Sequence, residues 1–130
     1  MINVFIVEDS ETMRENLRSM LSEFDRIRIT GYAADEAGAI EQINAALPDV
    51  VVLDLNLQSG SGVAVLKDVK KRHAGIKVMV LTNCNGEAYV NACKRANADY
   101  FFDKSFQFME VREVFANWNK DGFMANKLSD

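Results

Sequence analysis

Four short apolar runs, each delivering a chemically capable residue at its end, constrain this chain more than any other feature. Ile2–Val7 ends at Glu8 and Asp9, Val50–Leu53 at Asp54, Val78–Leu81 at Thr82, and Phe101 and Phe102 lead into Asp103 and Lys104. Apolar runs of this length without alternation read as strands buried on both faces. In an open parallel sheet the carboxyl ends of the strands are where binding sites form. The pattern predicts one pocket that holds an acidic pair, a lone carboxylate, a hydroxyl and an ammonium.

The segments between the runs carry helical spacing. Met13, Leu17, Met20, Leu21 and Phe24 line one face of a first helix, with Ser10 placed as its cap and Glu11 in its first turn. Arg26–Tyr32 alternates, as an edge strand does. Asp35 then caps a helix with Ala37, Ile40, Ile43 and Leu47 as its apolar stripe, stopped by Pro48. Asn56–Gly62 is a loop, Val63–Arg72 a helix burying Val65, Leu66 and Val69, and Gly75 a break. Lys77–Thr82 is a fourth strand, Glu87–Ala96 a helix of small residues and Asp99–Phe102 a fifth strand. Val111, Val114, Phe115 and Trp118 mark the last helix.

Strict alternation of this kind requires right-handed crossovers and helices on both faces of the sheet. The expected class is therefore α/β, a flavodoxin-like, doubly wound, five-stranded parallel sheet of order 2-1-3-4-5. One domain over residues 1–118 and a polar tail over residues 119–130 account for the 130 residues. The residues after Lys104 suffice for one helix and that tail, so no separate output domain is expected.

Composition excludes several classes. A formal net charge of −4 leaves no electrostatic footprint for direct nucleic-acid binding. Cys84 and Cys93 lack metal-ligand spacing, and His73 is the only histidine, so neither a zinc site nor a disulfide is expected. The first apolar run has no basic leader, is interrupted by Asn3 and stops at Glu8, which argues against a signal peptide or membrane span and for a cytoplasmic protein.

Bringing Glu8, Asp9 and Asp54 together is electrostatically unfavourable, since two unit charges about 4 Å apart cost roughly 4 kcal/mol at an effective dielectric near 20. Mg²⁺ is the simplest offset, because it takes oxygen ligands and shares its shell with phosphoryl groups. Lys104 can neutralise Asp54 or grip a phosphoryl oxygen. Asp54, apart from the acidic pair, is then free to act as a nucleophile that forms an aspartyl phosphate. Thr82 would donate to the phosphoryl group while Lys104 stabilises charge on its oxygens.

These residues resemble the receiver domain of two-component response regulators over about residues 1–118. The match comprises Glu8-Asp9 after the first strand, Asp54 in VVLDLNL, Gly62 eight positions on, Thr82 in VLTN, the aromatic Phe101, and Lys104 in DYFFDKS. The resemblance implies that Asp54 is the phosphoacceptor, served by a sensor histidine kinase or a histidine phosphotransfer protein. It also implies Mg²⁺ held by Glu8, Asp9, Asp54 and the Asn56 backbone carbonyl, with Thr82 and Phe101 as a switch pair. Asn56 and Cys84 occupy positions that tune hydrolysis in that family. A free-standing regulator of the chemotaxis type would act by binding a downstream protein or by passing the phosphoryl group on, as a monomer or a phosphorylation-dependent dimer. Two departures stand out: the family's proline four residues after the phosphoacceptor is Gln58 here, and the proline after the lysine is Ser105. The Lys104-Ser105 peptide is accordingly expected to be trans.

Simpler readings compete at single residues. Glu8 and Asp9 also suit a helix N-terminus, Thr82 and above all Asn83 could cap the fourth helix, and Phe101, like Phe102, suits a core. His73 is expected to be exposed and unrelated to phosphotransfer. The alternative function is a small Mg-dependent phosphohydrolase with an aspartate nucleophile, but such enzymes carry DxD at the end of the first strand, where this chain has Glu8-Asp9-Ser10. A partner surface is expected on the fourth helix, fifth strand and last helix, with Tyr89, Lys94, Arg95, Phe106 and Phe108 as its candidates.

Overall fold

The computed structural model describes residues 1–123. Its elements run β1 (Ile2–Val7), α1 (Glu11–Leu21), β2 (Ile27–Ala33), α2 (Glu36–Ala46), β3 (Val50–Leu53), α3 (Gly62–Arg72), β4 (Lys77–Thr82), α4 (Glu87–Arg95), β5 (Tyr100–Asp103) and α5 (Phe108–Asp121). The sheet is entirely parallel, in the expected order β2-β1-β3-β4-β5. β3 is buried at every position, and β2, at an edge, alternates between exposed residues and ones that are buried or half-buried.

Two apolar layers sandwich the sheet, as the unbroken apolar central strands require. On one side Leu17, Met20, Val111, Phe115 and Trp118 of α1 and α5 pack against Val4, Ile6, Val52, Met79 and Leu81. On the other, Ile43, Val65, Leu66, Val69 and Cys93 of α2, α3 and α4 pack against Phe5, Val7, Val51, Leu53, Val78 and Val80. Alternate residues of one strand therefore feed opposite layers, the period-2 geometry of a strand covered on both faces.

Local chemistry starts the helices, at Ser10 and Asp35 as expected and at Ser61 in addition. Ser10 Oγ accepts from the Met13 amide, Asp35 Oδ1 from the Gly38 amide, and Ser61 Oγ from the amides of Val63 and Ala64. The stripe of α2 differs from the expected one: Ala39 and Ile43 are buried, whereas Ala37 and Leu47 are exposed. Leu47 has left the helix in a left-handed conformation at φ 48°, which turns its side chain away from the sheet before Pro48.

The segment expected to begin a polar tail at Asn119 is still helical as far as Asp121. Asn119 Oδ1 accepts from the Arg26 amide, and the Phe123 ring meets Trp118 edge-on at 5.0 Å, so this end of α5 is tied to the base of the sheet. The remainder of the tail, 124–130, lies outside the described residues. No helix among the described residues is long and apolar enough to cross a membrane.

Candidate functional site

Strand register assembles the site. Val7 pairs with Leu53, so Glu8 and Asp54 leave the sheet side by side, and Thr82 pairs with Asp103, which brings Lys104 to the same edge. Backbone bonds hold these residues at the strand ends: the Asp54 amide donates to Val7 O over 3.0 Å and the Lys104 amide to Thr82 O over 3.0 Å. Gly62 starts α3 directly against this turn. A Cβ there would lie 2.3 Å from Asp54 O and 2.5 Å from Leu55 Cα, a contact only glycine avoids.

Both oxygens of Asp54 are engaged. The Thr82 hydroxyl donates to Oδ1 over 2.8 Å, joined by the Asn56 amide at 3.2 Å, and Lys104 Nζ donates to Oδ2 over 3.0 Å. Lys104 also reaches Glu8, at 2.9 and 3.2 Å from its two oxygens, and so bridges two strand ends. That second partner was not anticipated from sequence, although a carboxylate buried at the end of a central strand demands a cation.

The acidic pair divides its work. Glu8 is 3% exposed, while Asp9 faces solvent. Burial pushes the Glu8 carboxyl above the usual carboxylate range, a rise that the Lys104 hydrogen bond only partly counters. Burial works against the Lys104 ammonium, yet its bonds to Glu8 and Asp54 outweigh that and hold its pKa above the usual lysine value. Carboxylate oxygens of Glu8, Asp9 and Asp54 lie within 4.8 Å of one another, and Lys104 supplies one positive charge against three acids. An all-oxygen set with excess negative charge fits a hard divalent cation.

Of the remaining expected residues, Phe101 is half-buried and packs with Cys84 against the α2-α3-α4 layer. Phe102 is half-buried as well, stacked on Tyr100 at 5.8 Å. Asn83 does not cap α4: that helix begins at Gly86 without a side-chain cap, and Asn83 Oδ1 instead accepts from Ser105 Oγ over 3.0 Å. His73 is not freely exposed; it ends α3 half-buried, with Nε2 2.7 Å from Asn44 Oδ1 of α2. It lies at the opposite end of α3 from Asp54, as expected. The described residues contain no cis peptide bond, so Lys104-Ser105 is trans.

The family model for the response regulator receiver domain matches residues 4–116. This chain belongs to that family. The receiver domain is 30% identical over 111 residues to the DNA-binding transcriptional activator DevR/DosR of Mycobacterium tuberculosis, a match covering 85% of this chain and 51% of that protein. It is 28% identical over 114 residues to the chemotaxis protein CheY of Halobacterium salinarum, covering 88% of this chain and 93% of CheY. The receiver thus spans about half the length of its DevR/DosR and GacA relatives and nearly all of CheY.

Among solved structures, the signal receiver domain of a NarL response regulator from Mycobacterium tuberculosis superposes with a TM-score of 0.80 at 26% identity, over 92% of this chain and 96% of that one. The response regulator domain of Thermotoga maritima CheB superposes with a TM-score of 0.78 at 25% identity, over 94% and 96%. A CheY in a CheX-CheY-BeF3-Mg complex from Borrelia burgdorferi shares the fold, with a TM-score of 0.76 at 23% identity over 88% and 89%. These likenesses agree with the sheet order and the five helices seen here.

Proposed function

We propose that this receiver is a phosphoacceptor switch in a two-component phosphorelay, with Asp54 taking a phosphoryl group from the phosphohistidine of a sensor kinase or histidine phosphotransfer protein. The observation that carries the reading is the shared grip on Asp54: a hydroxyl on one oxygen and an ammonium on the other, beside two further acids. A purely structural ion pair has no need of a third carboxylate, Asp9, at the same strand edge.

In the step itself, an Asp54 carboxylate oxygen attacks phosphorus, the bond from phosphorus to the donor's imidazole nitrogen breaks, and the imidazole leaves with the electron pair. Lys104, already 3.0 Å from Asp54 Oδ2, is placed to follow the charge onto a phosphoryl oxygen. Thr82 is placed to transfer its hydroxyl bond from Oδ1 to another. Glu8, Asp9, Asp54 and the Asn56 backbone carbonyl would hold Mg²⁺, which when bound neutralises charge on the phosphoryl oxygens.

The partner surface proposed is that of α4, β5 and α5. Tyr89, Phe106 and Met109 are 46%, 86% and 69% exposed on it, and Lys94 and Arg95 add exposed charge. Phe108, one of the expected candidates, packs instead against the α1-α5 layer. Incubation with acetyl phosphate and Mg²⁺, followed by mass spectrometry, should show a single added phosphoryl group that is lost in Asp54→Asn. Label retained in that variant, or sustained turnover of a phosphomonoester by the unaltered protein, would overturn the reading.

A further inference from the structure

The loop after Asp54 lacks the proline its relatives are expected to carry, yet it is tied down from outside. The Gln58 amide donates to Ala34 O over 3.2 Å, a bond that proline, with no N–H, could not make. The Glu36 amide, at the start of α2, donates to Ser59 O over 3.0 Å. The Glu36 carboxylate turns back to accept from the Ser61 amide over 2.9 Å. Gly60, at φ +85°, lies so near that a Cβ there would be 2.4 Å from the Glu36 Cβ. The loop is moulded around this one side chain.

What Glu36 holds reaches the pocket in two short steps. Ser61 pairs with Asn56 in an isolated antiparallel bridge, and the Gly62 amide donates to Leu55 O over 3.1 Å, so the loop's two ends are fastened together. Asn56 in turn donates its amide to Asp54 Oδ1. Buried Leu55 and Leu57 anchor the same segment from below. A shift of Ser61 therefore moves Asn56, and with it the backbone carbonyl assigned above to the metal.

We propose that Glu36 is a positioning residue for the Asp54 pocket: its carboxylate sets the loop so that the Asn56 carbonyl faces the acidic cluster. This inference rests on the proposed function and extends it to a residue outside the pocket on a different βα unit. It also accounts for Gln58, since a docked loop with an amide donor replaces one stiffened by a ring. Loss of a support of this kind costs metal affinity rather than fold, because Glu36 is half-buried at a helix start and part of no core layer.

The test compares Glu36→Ala with Glu36→Gln, which keeps a carbonyl acceptor at the same reach. Calorimetric Mg²⁺ titration should show affinity roughly tenfold weaker in the alanine variant and within about twofold of the unaltered protein in the glutamine variant. Amide exchange at Ser61 should quicken in Glu36→Ala alone. If the unaltered protein binds no Mg²⁺, the reading of the pocket fails and this inference with it. If it binds Mg²⁺ and both variants match it, with Ser61 exchange unchanged, Glu36 has no positioning role and the pocket stands without it.

Discussion

The Thr82 hydroxyl donates to Asp54 Oδ1 over 2.8 Å, and Lys104 donates to the other oxygen, so each oxygen of the candidate nucleophile has a donor of its own in this state. A carboxylate oxygen that accepts one hydrogen bond keeps a second lone pair, so Oδ2, which accepts from Lys104, can attack phosphorus with that bond in place, whereas Oδ1 accepts from both Thr82 and Asn56.

Thr82 is fully buried, and its oxygen also accepts the Cys84 amide at 3.1 Å. Thr82→Val keeps the shape and removes both bonds. A hydrogen bond to a charged group contributes about 1.5–3 kcal/mol, so urea unfolding should show a loss of that order with an unchanged slope. Unaltered stability would mean that Asp54 finds another donor.

Mg²⁺ should stabilise the domain, since the fold gathers the carboxylates of Glu8, Asp9 and Asp54 and the unfolded chain does not. At ten times its Kd the gain is about 1.4 kcal/mol. Thermal unfolding with and without Mg²⁺ reads this directly. In Glu8→Gln combined with Asp9→Asn the increment should vanish, and an increment that survives would move the metal elsewhere.

Gly62→Ala places a methyl 2.3 Å from the Asp54 carbonyl oxygen, a backbone atom that cannot swing aside. Overpacking against a fixed neighbour costs on the order of 1–3 kcal/mol. The same displacement should slow phosphorylation by acetyl phosphate. A variant as stable and as readily phosphorylated as the parent would show that the turn yields.

Asp103 accepts from the Asn85 side-chain amide and from the backbone amides of Ser105 and Phe106, which holds its carboxyl below the usual range. A depressed folded pKa means that the unfolded chain binds the proton first, so this contribution is present above about 3.9 and is lost as pH falls through the folded value. Carbon-13 titration of the Asp103 carboxyl should give a midpoint below that of an unfolded aspartate. Asn85→Ala should raise it, and a midpoint unmoved by that change would assign the depression to the backbone donors alone.

The fold was legible because each signal was local: apolar runs of strand length, Ser10 and Asp35 at helix starts, and the alternation of β2. The site was legible because strand ends of a parallel sheet converge, so Glu8, Asp54, Thr82 and Lys104 needed only register to meet. What escaped depends on distance between elements rather than on spacing within one. The docking of Glu36 on the 59–61 turn joins segments 25 residues apart in sequence, and the bond of His73 to Asn44 joins segments 29 apart. Neither pair carries a periodic or compositional mark. The extent of α5 was missed for another reason: Asn119, Lys120 and Asp121 look like a fraying end, but Asn119 anchors to Arg26 and Phe123 covers Trp118.

Phosphorylation of Asp54 should be read out on the face of α4, β5 and α5, through bonds already in place. The Thr82 hydroxyl that serves Asp54 also accepts the Cys84 amide, and the neighbouring Asn83 and Asn85 bind Ser105 and Asp103 across the gap between two loops. If Thr82 turns toward a phosphoryl oxygen, Cys84 loses its acceptor in that position, and the start of α4 is free to repack against β5. Half-buried Phe101, packed against the same apolar layer as Cys84, can follow. A phosphoryl group shifts such an equilibrium only by interacting differently with the two arrangements, and a Thr82 bond made in one of them supplies that difference. Amide chemical shifts recorded with and without a beryllofluoride mimic of the phosphoryl group should therefore change at Cys84, Tyr89, Phe101 and Phe106 as well as at Asp54. Thr82→Val should confine the changes to the pocket. Shifts restricted to the pocket in the unaltered protein would refute this route.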